Sequence, residues 1–563
     1  MAPKRNSKFF VCFLWLLLFL LTACTSDSWA PVPGSAELLK DISWTCSSGN
    51  TIEDGAVAIT AGNEFRAYVN IYGPRLITQG DFGVAATLSV AQENLAAFSL
   101  VGRQGTSDWW DEGRKLDVGL EEGQIIVNYY NGVSFMPSVT QTFAADGLSG
   151  KVRLELRRVG TEFILLVNGK EVGRMAAVDA FPDGFAYFGA SVRPNNTLTL
   201  YELTVTAPPE NSAVTLDSSG GAAYTPTEPP LRALADARNI LIGGAVEPQH
   251  IRCDQTYAEV LGREFNSLVT ENAFKFWPIH PEQGRYDFTG SDAIVEFAEA
   301  HDMRIRGHAL VWHQSTPDWI NNATFTQEQW NAVLQDHITT VVSRYKGRVD
   351  YWDVVNEAIG ESGVGLRKTV WSDGVGADYV DKAFIWAHAA DPDALLFYND
   401  YGAEDMGLKS DQVYELVTGM VERGIPVHGV GLQMHLDYRT ALTPEDVARN
   451  IRRLGELGLQ VHITELDIRL PAGAAEEHLE RQADLYRQLL EVCMQAENCT
   501  AFVMWGFTDR YSWIPNSYSG YDHALIFDKA YRPKPAYFSL RKALEAPKIL
   551  RPEDFGADCD CAP

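Results

Sequence analysis

Basic residues are scarce in this chain. Its 563 residues hold 47 Lys and Arg against 74 Asp and Glu, which gives a formal net charge of −27. A surface that binds nucleic acid or anionic lipid needs clustered Lys and Arg, so the composition argues against nucleic acid and against broad membrane contact. The charge says little about a neutral ligand.

Metal-ligand patterns are missing as well. A structural zinc site takes four Cys or His ligands, usually from two closely spaced pairs, and no cluster among the 8 Cys and 12 His of this chain has that spacing. After residue 23, no segment is long and apolar enough to span a bilayer. We expect no metal ligands among the site residues, no cofactor and no membrane contact beyond the N-terminus, and we expect a monomer; calcium binding by residues 36–207 stays open.

The first feature that is present is an export signal over residues 1–23. A basic start is followed by an unbroken apolar run of 13 residues, 9–21, which is too short for an ordinary transmembrane span. The run ends in Leu21-Thr22-Ala23-Cys24, which resembles the lipobox of bacterial lipoproteins and implies acylation of Cys24. We expect an exported lipoprotein on the extracellular face of the membrane. Ordinary secretion after cleavage near Ala23 or Ala30 stays open.

Export also sets the redox context of the remaining cysteines. With Cys12 removed and Cys24 acylated, Cys493 and Cys499 are predicted to form a disulfide, because they close a short loop just before a strand. The pairing of the other four cysteines stays open, since spacing alone does not choose among them. These four are Cys46, Cys253, Cys559 and Cys561.

Residues 36–207 have the pattern of an all-β domain. Short apolar runs such as 82–88 and 152–156 alternate with Gly, Asn and Asp turns. Residues 162–172 predict a hairpin with Asn168-Gly169 as its two-residue turn. The segment resembles, weakly, concanavalin-like or laminin-G-like β-sandwiches.

Two roles stay open for this sandwich. It is either a carbohydrate-binding module or a spacer that holds the following domain away from the membrane. A stacking platform for sugar rings would use the aromatic pairs Trp109-Trp110 and Tyr129-Tyr130 together with Tyr187. Residues 208–230, rich in Pro, Ser and Gly, predict an extended linker. No role is assigned to the tail, 546–563.

Residues 231–545 predict a (β/α)8 barrel. Eight apolar β-type runs each precede a stretch long enough for a helix, and strands buried on both faces indicate a parallel sheet. An open doubly wound sheet is the competing architecture, but Gly243-Gly244-Ala245 lacks the spacing of a phosphate-binding loop. The predicted strands are 240–246, 267–271, 304–312, 350–357, 395–400, 429–436, 459–468 and 501–508.

Polar residues collect at the C-terminal ends of these strands, the edge where barrel enzymes carry their sites. The two-residue strand period places His308 with Trp312, and Gln433 with His435, on common inward faces. The same rule sets Asn356 and Glu357 on opposite faces unless the strand ends there. The collected residues are Glu271, Asn272, Lys275, His308, Trp312, Asn356, Glu357, Tyr398, Asn399, Asp400, Gln433, His435, Glu465, Asp467 and Trp505.

Glu357 and Glu465 indicate glycoside hydrolysis, because two carboxylates across a cleft are what that reaction requires. One carboxyl group must donate a proton to the leaving oxygen, and the other must be ionised to attack or to assist water. Like charge raises the pKa of a neighbouring acid, which suits such a division of roles.

Five ordered motifs resemble glycoside hydrolase family 10 xylanases over residues 235–545. Trp352-Asp353-Val354-Val355-Asn356-Glu357-Ala358 is similar to the acid/base motif, and Ile463-Thr464-Glu465-Leu466-Asp467-Ile468 to the nucleophile motif. The third-, sixth- and eighth-strand motifs are matched by Gly307-His308-Ala309-Leu310-Val311-Trp312-His313, Gly431-Leu432-Gln433-Met434-His435 and Trp505-Gly506-Phe507-Thr508-Asp509.

The resemblance implies a retaining endo-1,4-β-xylanase acting on xylan or xylooligosaccharides. Glu465 would be the nucleophile and Glu357 the acid/base, His435 would contact the nucleophile and help set its ionisation, and Asn356 would bind the sugar 2-hydroxyl. The subsites on the nonreducing side would be lined by Glu271, Asn272, Lys275, His308, Trp312, Gln433 and Trp505.

One residue departs from the family pattern. The family usually has Trp after the second-strand Lys, whereas Phe276 follows Lys275 here, which keeps the apolar bulk and loses the indole N–H. Two alternative functions stay open: another retaining β-1,4-glycanase that acts on glucan, and a noncatalytic lipoprotein that captures polysaccharide.

Overall fold

The computed structural model describes residues 29–40, 51–61, 67–78, 80–92, 94–101, 114–131, 137–146, 148–176, 181, 185–209, 214–217, 224–362 and 364–547. The chain divides into two compact units, with the boundary after residue 220. Each unit has its own hydrophobic core. In the described part of the chain, no helix has the length and apolar character needed to cross a membrane.

The first unit is a sandwich of two antiparallel sheets. One sheet has the strand order β12-β11-β10-β5-β14-β3-β2, with β1 beside β14, and the other has the order β15-β4-β13-β6-β7-β8-β9. The strands are β1 Ala30–Pro31, β2 Thr51–Glu53, β3 Ala56–Thr60, β4 Ala67–Ile77, β5 Phe82–Val90, β6 Ala96–Val101, β7 Arg114–Glu121, β8 Gln124–Asn131, β9 Val139–Phe143, β10 Val152–Val159, β11 Glu162–Val167, β12 Lys170–Ala176, β13 Phe185–Val192, β14 Thr197–Ala207 and β15 Leu216–Asp217.

Residues of both sheets share one core, in which Leu88 of β5 and Phe98 of β6 are examples. The predicted hairpin is confirmed: β11 pairs with β12, and Asn168 and Gly169 between them have φ values of 49° and 82°. Two positive φ values are what a type I′ turn requires, and Asn and Gly adopt them at least cost.

The predicted boundaries of the sandwich were too narrow. Strand β1 pairs with the end of β14, so the unit starts before residue 36. Strand β15 pairs with β4 inside the segment predicted to be a linker. Beyond β15, Tyr224 belongs to the second unit, where it donates to Glu264 and packs on that unit's core. The predicted linker therefore contributes to both units at its ends.

The second unit is a closed barrel, as predicted. Eight parallel strands run in the order β16, β17, β18, β19, β20, β21, β23, β24, and β24 pairs back to β16. They are β16 Leu241–Val246, β17 Ser267–Thr270, β18 Arg304–Val311, β19 Tyr351–Asn356, β20 Leu395–Asp400, β21 Gly429–Leu432, β23 Gln460–Pro471 and β24 Cys499–Met504; the short strands β22 His435–Asp437 and β25 Tyr521–Asp522 both pair with β23.

Helices surround the barrel, and several begin at a side chain that caps their first turn. Thr326 accepts from the N–H of Gln329, whose side chain accepts in return from the N–H of Thr326. The helices are α1 Leu231–Asp236, α2 Pro248–Cys253, α3 Gln255–Glu264, α4 Phe276–Ile279, α5 Thr289–Ala300, α6 Asp318–Asn321, α7 Gln327–Arg344, α8 Val370–Gly374, α9 Tyr379–Ala390, α10 Leu408–Glu422, α11 Pro444–Glu456, α12 Glu476–Gln495, α13 Ile514–Ser517 and α14 Pro535–Glu545.

The predicted Cys493–Cys499 disulfide is confirmed. It links the last turn of α12 to the first residue of β24. Cys253 also takes part in a disulfide. Cys24, Cys46, Cys559 and Cys561 lie outside the described residues, so the predicted lipidation stays a prediction and the remaining pairing stays open.

Candidate active site

Glu357 sits directly after strand β19, where the chain turns sharply. Its φ of 58° lies in the left-handed region, which is uncommon for a residue other than glycine. The strand ends at Asn356, so the period-two alternation stops there. The side chains of Asn356 and Glu357 therefore both reach the same side of the barrel, a question that the strand rule left open.

Three N–H groups hold the Glu357 carboxylate. Trp312 Nε1 donates to Oε2 at 2.9 Å, while Gln433 Nε2 and Asn356 Nδ2 donate to Oε1 at 3.1 and 3.2 Å. The side chain is only 7% exposed. With Oε1 accepting twice and Oε2 once, a free acceptor position remains at Oε2, and that oxygen is the one able to carry a proton toward a bound substrate.

Glu465 lies in the middle of strand β23 and is 4% exposed. Asn399 Nδ2 donates to its Oε1 at 2.6 Å, and His435 Nε2 lies 3.1 Å from its Oε2. His308 Nδ1 lies 3.8 Å from Oε1. Burial alone would raise the pKa of Glu465, but the charge of His308 and the hydrogen bond and charge of His435 outweigh it, so the pKa is held below its ordinary value.

His435 is itself oriented by a second carboxylate. Its Nδ1 lies 2.9 Å from Asp467 Oδ2, which also accepts from Trp513 Nε1 at 2.7 Å. Burial acts to lower the pKa of His435, yet the charges and hydrogen bonds of Asp467 and Glu465 raise it well above its ordinary value. The two carboxylates therefore favour the protonated form of the ring, which lies between Asp467 and Glu465.

Amide side chains connect the two carboxylates. Asn356 Oδ1 accepts from Asn399 at 2.8 Å and from Gln433 at 3.2 Å. Asn399 also donates to Glu465, and Gln433 also donates to Glu357. The two carboxyl groups are thus joined through three buried amides in a single hydrogen-bonded network, which fixes their mutual position.

A buried ion pair between Arg306 and Asp353 lies next to this network. Both Arg306 and Asp353 are almost fully buried, and Arg306 binds Asp353 through two guanidinium nitrogens. Asp353 Oδ2 also lies 3.0 Å from His308 Nδ1. Desolvation acts to raise the pKa of Asp353, but Arg306 and His308 together hold it below its ordinary value. Asp353 therefore orients the ring of His308, which faces Glu465.

The other predicted subsite residues gather beside Glu465. Lys275 Nζ donates to Asn272 Oδ1 at 2.8 Å and lies over the rings of Trp312 and Trp505, 4.8 and 5.8 Å from their centroids. Burial lowers the pKa of Lys275. Burial also raises the pKa of Glu271 to about 7 against the opposing charge of Lys275. The cluster presents aromatic walls with polar groups that suit sugar hydroxyls.

The structure shows the role of Phe276, which stands where the family usually has Trp. Phe276 is fully buried and stacks on the ring of His337, with 3.8 Å between centroids. The neighbouring Trp277 is 52% exposed and does not take over that place. The ring of Phe276 therefore acts in packing. None of its described contacts requires the indole N–H that a Trp would supply.

The predicted catalytic and subsite residues lie within strands β18, β19, β22 and β23 or in the loops that follow β17, β18, β19, β21 and β24. The structure adds residues that were not assigned roles: Asn399, Asp467, Trp513 and the Arg306–Asp353 pair. Asn399 and Asp467 had a signal in the sequence, since both are polar at strand ends. Trp513 lies in the loop beyond β24, and nothing in its local sequence links it to Asp467.

A closed (β/α)8 barrel with two networked glutamates at its C-terminal edge defines a glycoside hydrolase. The sequence profile of glycosyl hydrolase family 10 matches residues 230–543, more than half of the chain. The chain belongs to glycosyl hydrolase family 10.

Relatives and solved structures agree with this assignment. Endo-1,4-beta-xylanase B of Thermotoga neapolitana is 44% identical over 319 residues, which cover 56% of this chain and 92% of that protein. The crystal structure of xylanase 10B from Thermotoga maritima has 46% identity and a TM-score of 0.55, and covers 56% of this chain and 98% of its own. Xylanase 10B from Thermotoga petrophila, solved with xylobiose, has 45% identity, a TM-score of 0.55, and covers 57% and 99%.

Proposed function

We propose that this protein is a retaining endo-1,4-β-xylanase, with Glu465 as nucleophile and Glu357 as acid/base. The observation that carries the proposal is the pairing of an ionised Glu465, held by two histidines, with a networked Glu357 whose Oε2 keeps a free position. The family membership and the xylanase names of the relatives support the same substrate.

In the first step, Glu465 attacks the anomeric carbon and forms a covalent bond to it. The bond from that carbon to the leaving oxygen breaks, and Glu357 delivers its proton to that oxygen. Asn356, next to Glu357 and fixed by two other amides, is placed to bind the 2-hydroxyl of the sugar, a contact that strengthens in the transition state.

In the second step, the Glu357 carboxylate takes a proton from water. The water oxygen bonds to the anomeric carbon, and Glu465 departs as a carboxylate. Because Asp467 and Glu465 favour the protonated form of His435, its ring stabilises the returning negative charge. Two displacements at one carbon give net retention of configuration.

Two variants test these roles. Glu465→Gln should lose at least about 1000-fold in kcat while still binding xylooligosaccharide. Glu357→Ala should keep activity on an aryl xyloside with a good leaving group when azide is added, and should release the β-xylosyl azide. An α-configured product, or full activity of either variant, would refute the assignment.

The substrate test separates xylan from glucan. Xylose lacks the hydroxymethyl group of glucose, and the bulk of Trp505, 8% exposed and in contact with the rings of His308 and His435, stands at the site wall. We expect reducing sugar from xylan and little from carboxymethylcellulose. Clear preference for the glucan would favour the alternative glycanase.

We further propose that the protein is exported and anchored by acylation of Cys24. The support is the N-terminal sequence alone. Incorporation of labelled palmitate in a bacterial host, lost in Cys24→Ser, would bear this out. A soluble, unlabelled wild-type protein would favour ordinary secretion.

For the β-sandwich, we propose the spacer role. Tyr129, Tyr130 and Tyr187 are 9%, 4% and 6% exposed, so they offer no open platform for a sugar ring. Trp109 and Trp110 lie outside the described residues. Strong retention on insoluble xylan of the sandwich, compared with the barrel alone, would contradict the spacer role.

A further inference from the structure

The turn at Glu357 is held by its backbone as well as by its side chain. The N–H of Glu357 donates to the carbonyl of Asn399 at 2.9 Å, and Arg367 Nε donates to the carbonyl of Glu357 at 3.2 Å. A left-handed backbone at a non-glycine residue persists only where its surroundings hold it. The position of the Glu357 carboxyl group therefore depends on what anchors this turn.

One buried hydroxyl anchors the two residues that follow. The N–H groups of Ala358 and Ile359 donate to the hydroxyl oxygen of Tyr398, at 3.0 and 3.2 Å. Tyr398 lies inside strand β20 and has no exposed surface. A hydroxyl that accepts twice has one further bond to give, through its own hydrogen.

That remaining bond fixes the hydroxyl. The Tyr398 O–H donates to Asp400 Oδ2 at 2.5 Å, and Asp400 Oδ1 is paired with Lys409 Nζ at 2.7 Å. Asp400 is fully buried and also accepts from the N–H of Tyr401 at 3.0 Å. The chain of contacts runs from Lys409 through Asp400 and Tyr398 to the backbone after Glu357.

We propose that Tyr398, oriented by Asp400, is a positioning residue for proton transfer by Glu357. The proposal rests on the acid/base role proposed above. Tyr398 does not contact the Glu357 carboxyl group; it fixes the backbone from which that group projects. A displacement of about 1 Å in a catalytic group can cost on the order of 100-fold in rate, so the anchor controls acid catalysis.

The leaving group separates this role from a general structural one. A poor leaving group needs protonation by Glu357, whereas a good one departs without help. For Tyr398→Phe, we expect kcat/KM on phenyl β-xylobioside to fall about 10- to 100-fold, and on 2,4-dinitrophenyl β-xylobioside to stay within about threefold. The ratio kcat/KM is used because it reports only the first displacement.

Two further variants complete the test. Asp400→Asn keeps the shape and weakens the anchor, so its losses should be smaller and show the same leaving-group dependence. Tyr345→Phe removes another buried hydroxyl, which lies 2.8 Å from both Ser291 Oγ and Asp292 Oδ1 between outer helices, and should leave both rates unchanged. If Tyr398→Phe does not fold, Asp400→Asn carries the test.

Equal losses on both substrates, or no loss on either, would overturn the positioning role. Wild-type enzyme that hydrolyses neither substrate would instead overturn the proposed function, so the two failures are distinct.

Discussion

The hydrogen bond from His435 to Glu465 gives the most direct prediction. His435→Gln keeps a neutral donor of similar reach but removes the positive charge 3.1 Å from Glu465 Oε2. Because His435 is one of the groups that lower the pKa of Glu465, that pKa should rise in the variant. In its proposed role as nucleophile, Glu465 must be ionised to attack, so the acid limb of the pH profile should move to higher pH.

The size of the shift follows from the contact. A hydrogen bond to a charged group contributes about 1.5–3 kcal/mol. One pKa unit corresponds to about 1.4 kcal/mol, and Gln keeps a neutral donor, so loss of the charged component should raise the pKa of Glu465 by at most about 1 to 2 units. His308 remains 3.8 Å from the other oxygen and keeps part of the stabilisation.

The assay is kcat/KM against pH on an aryl xylobioside with a good leaving group. Such a substrate needs little help from Glu357, so its acid limb reports the nucleophile. His301→Gln is the matched control, because His301 directly follows helix α5 and its ring hydrogen-bonds to the carbonyl of Phe297 and stacks on the Phe297 ring. An acid limb that stays in place, or moves to lower pH, in His435→Gln would refute the electrostatic account of Glu465.

Three other predictions concern the site and its support. Trp312→Phe removes the N–H that reaches Glu357, and we expect kcat/KM on xylan to fall about 10-fold or more, measured by initial rates, with Trp277→Phe as an exposed control. Arg306→Met leaves Asp353 buried beside His308 but without its guanidinium partner, so the free energy of unfolding should drop by about 3–5 kcal/mol in urea titration; an unchanged midpoint would contradict this. Replacing Cys493 and Cys499 together by Ala reopens a short loop and should lower the free energy of unfolding by about 2 kcal/mol. Reductant can then no longer act at these two positions.

The sixth barrel strand is a place where the predicted pattern and the structure differ. One continuous strand was predicted over 429–436, with Gln433 and His435 on one face by the two-residue period. The structure breaks it into β21 and β22, and Met434 between them has a φ of 65°. Both side chains still reach the site, because the chain turns at the break between the two strands. Gln433 contacts Glu357, and His435 contacts Glu465.

Strand eight was displaced rather than broken. It was predicted over 501–508 and runs from Cys499 to Met504. Trp505 directly follows its end. The polar residues at 505–509 lie in the loop beyond the strand. The edge of the barrel that carries the site was therefore predicted correctly, although the end of the strand was not.

Local periodicity and residue type were enough to predict eight buried strands, their common polar rim and the two glutamates on it, because those properties depend on neighbours a few positions apart. The anchors of the site came only with closure of the barrel: Asn399 donating to Glu465 across 66 positions, Trp513 reaching Asp467 across 46, and Tyr398 holding the turn after Glu357 across about 40. Such contacts depend on the register between strands and on where each loop returns, and neither is encoded in the periodicity of any single segment.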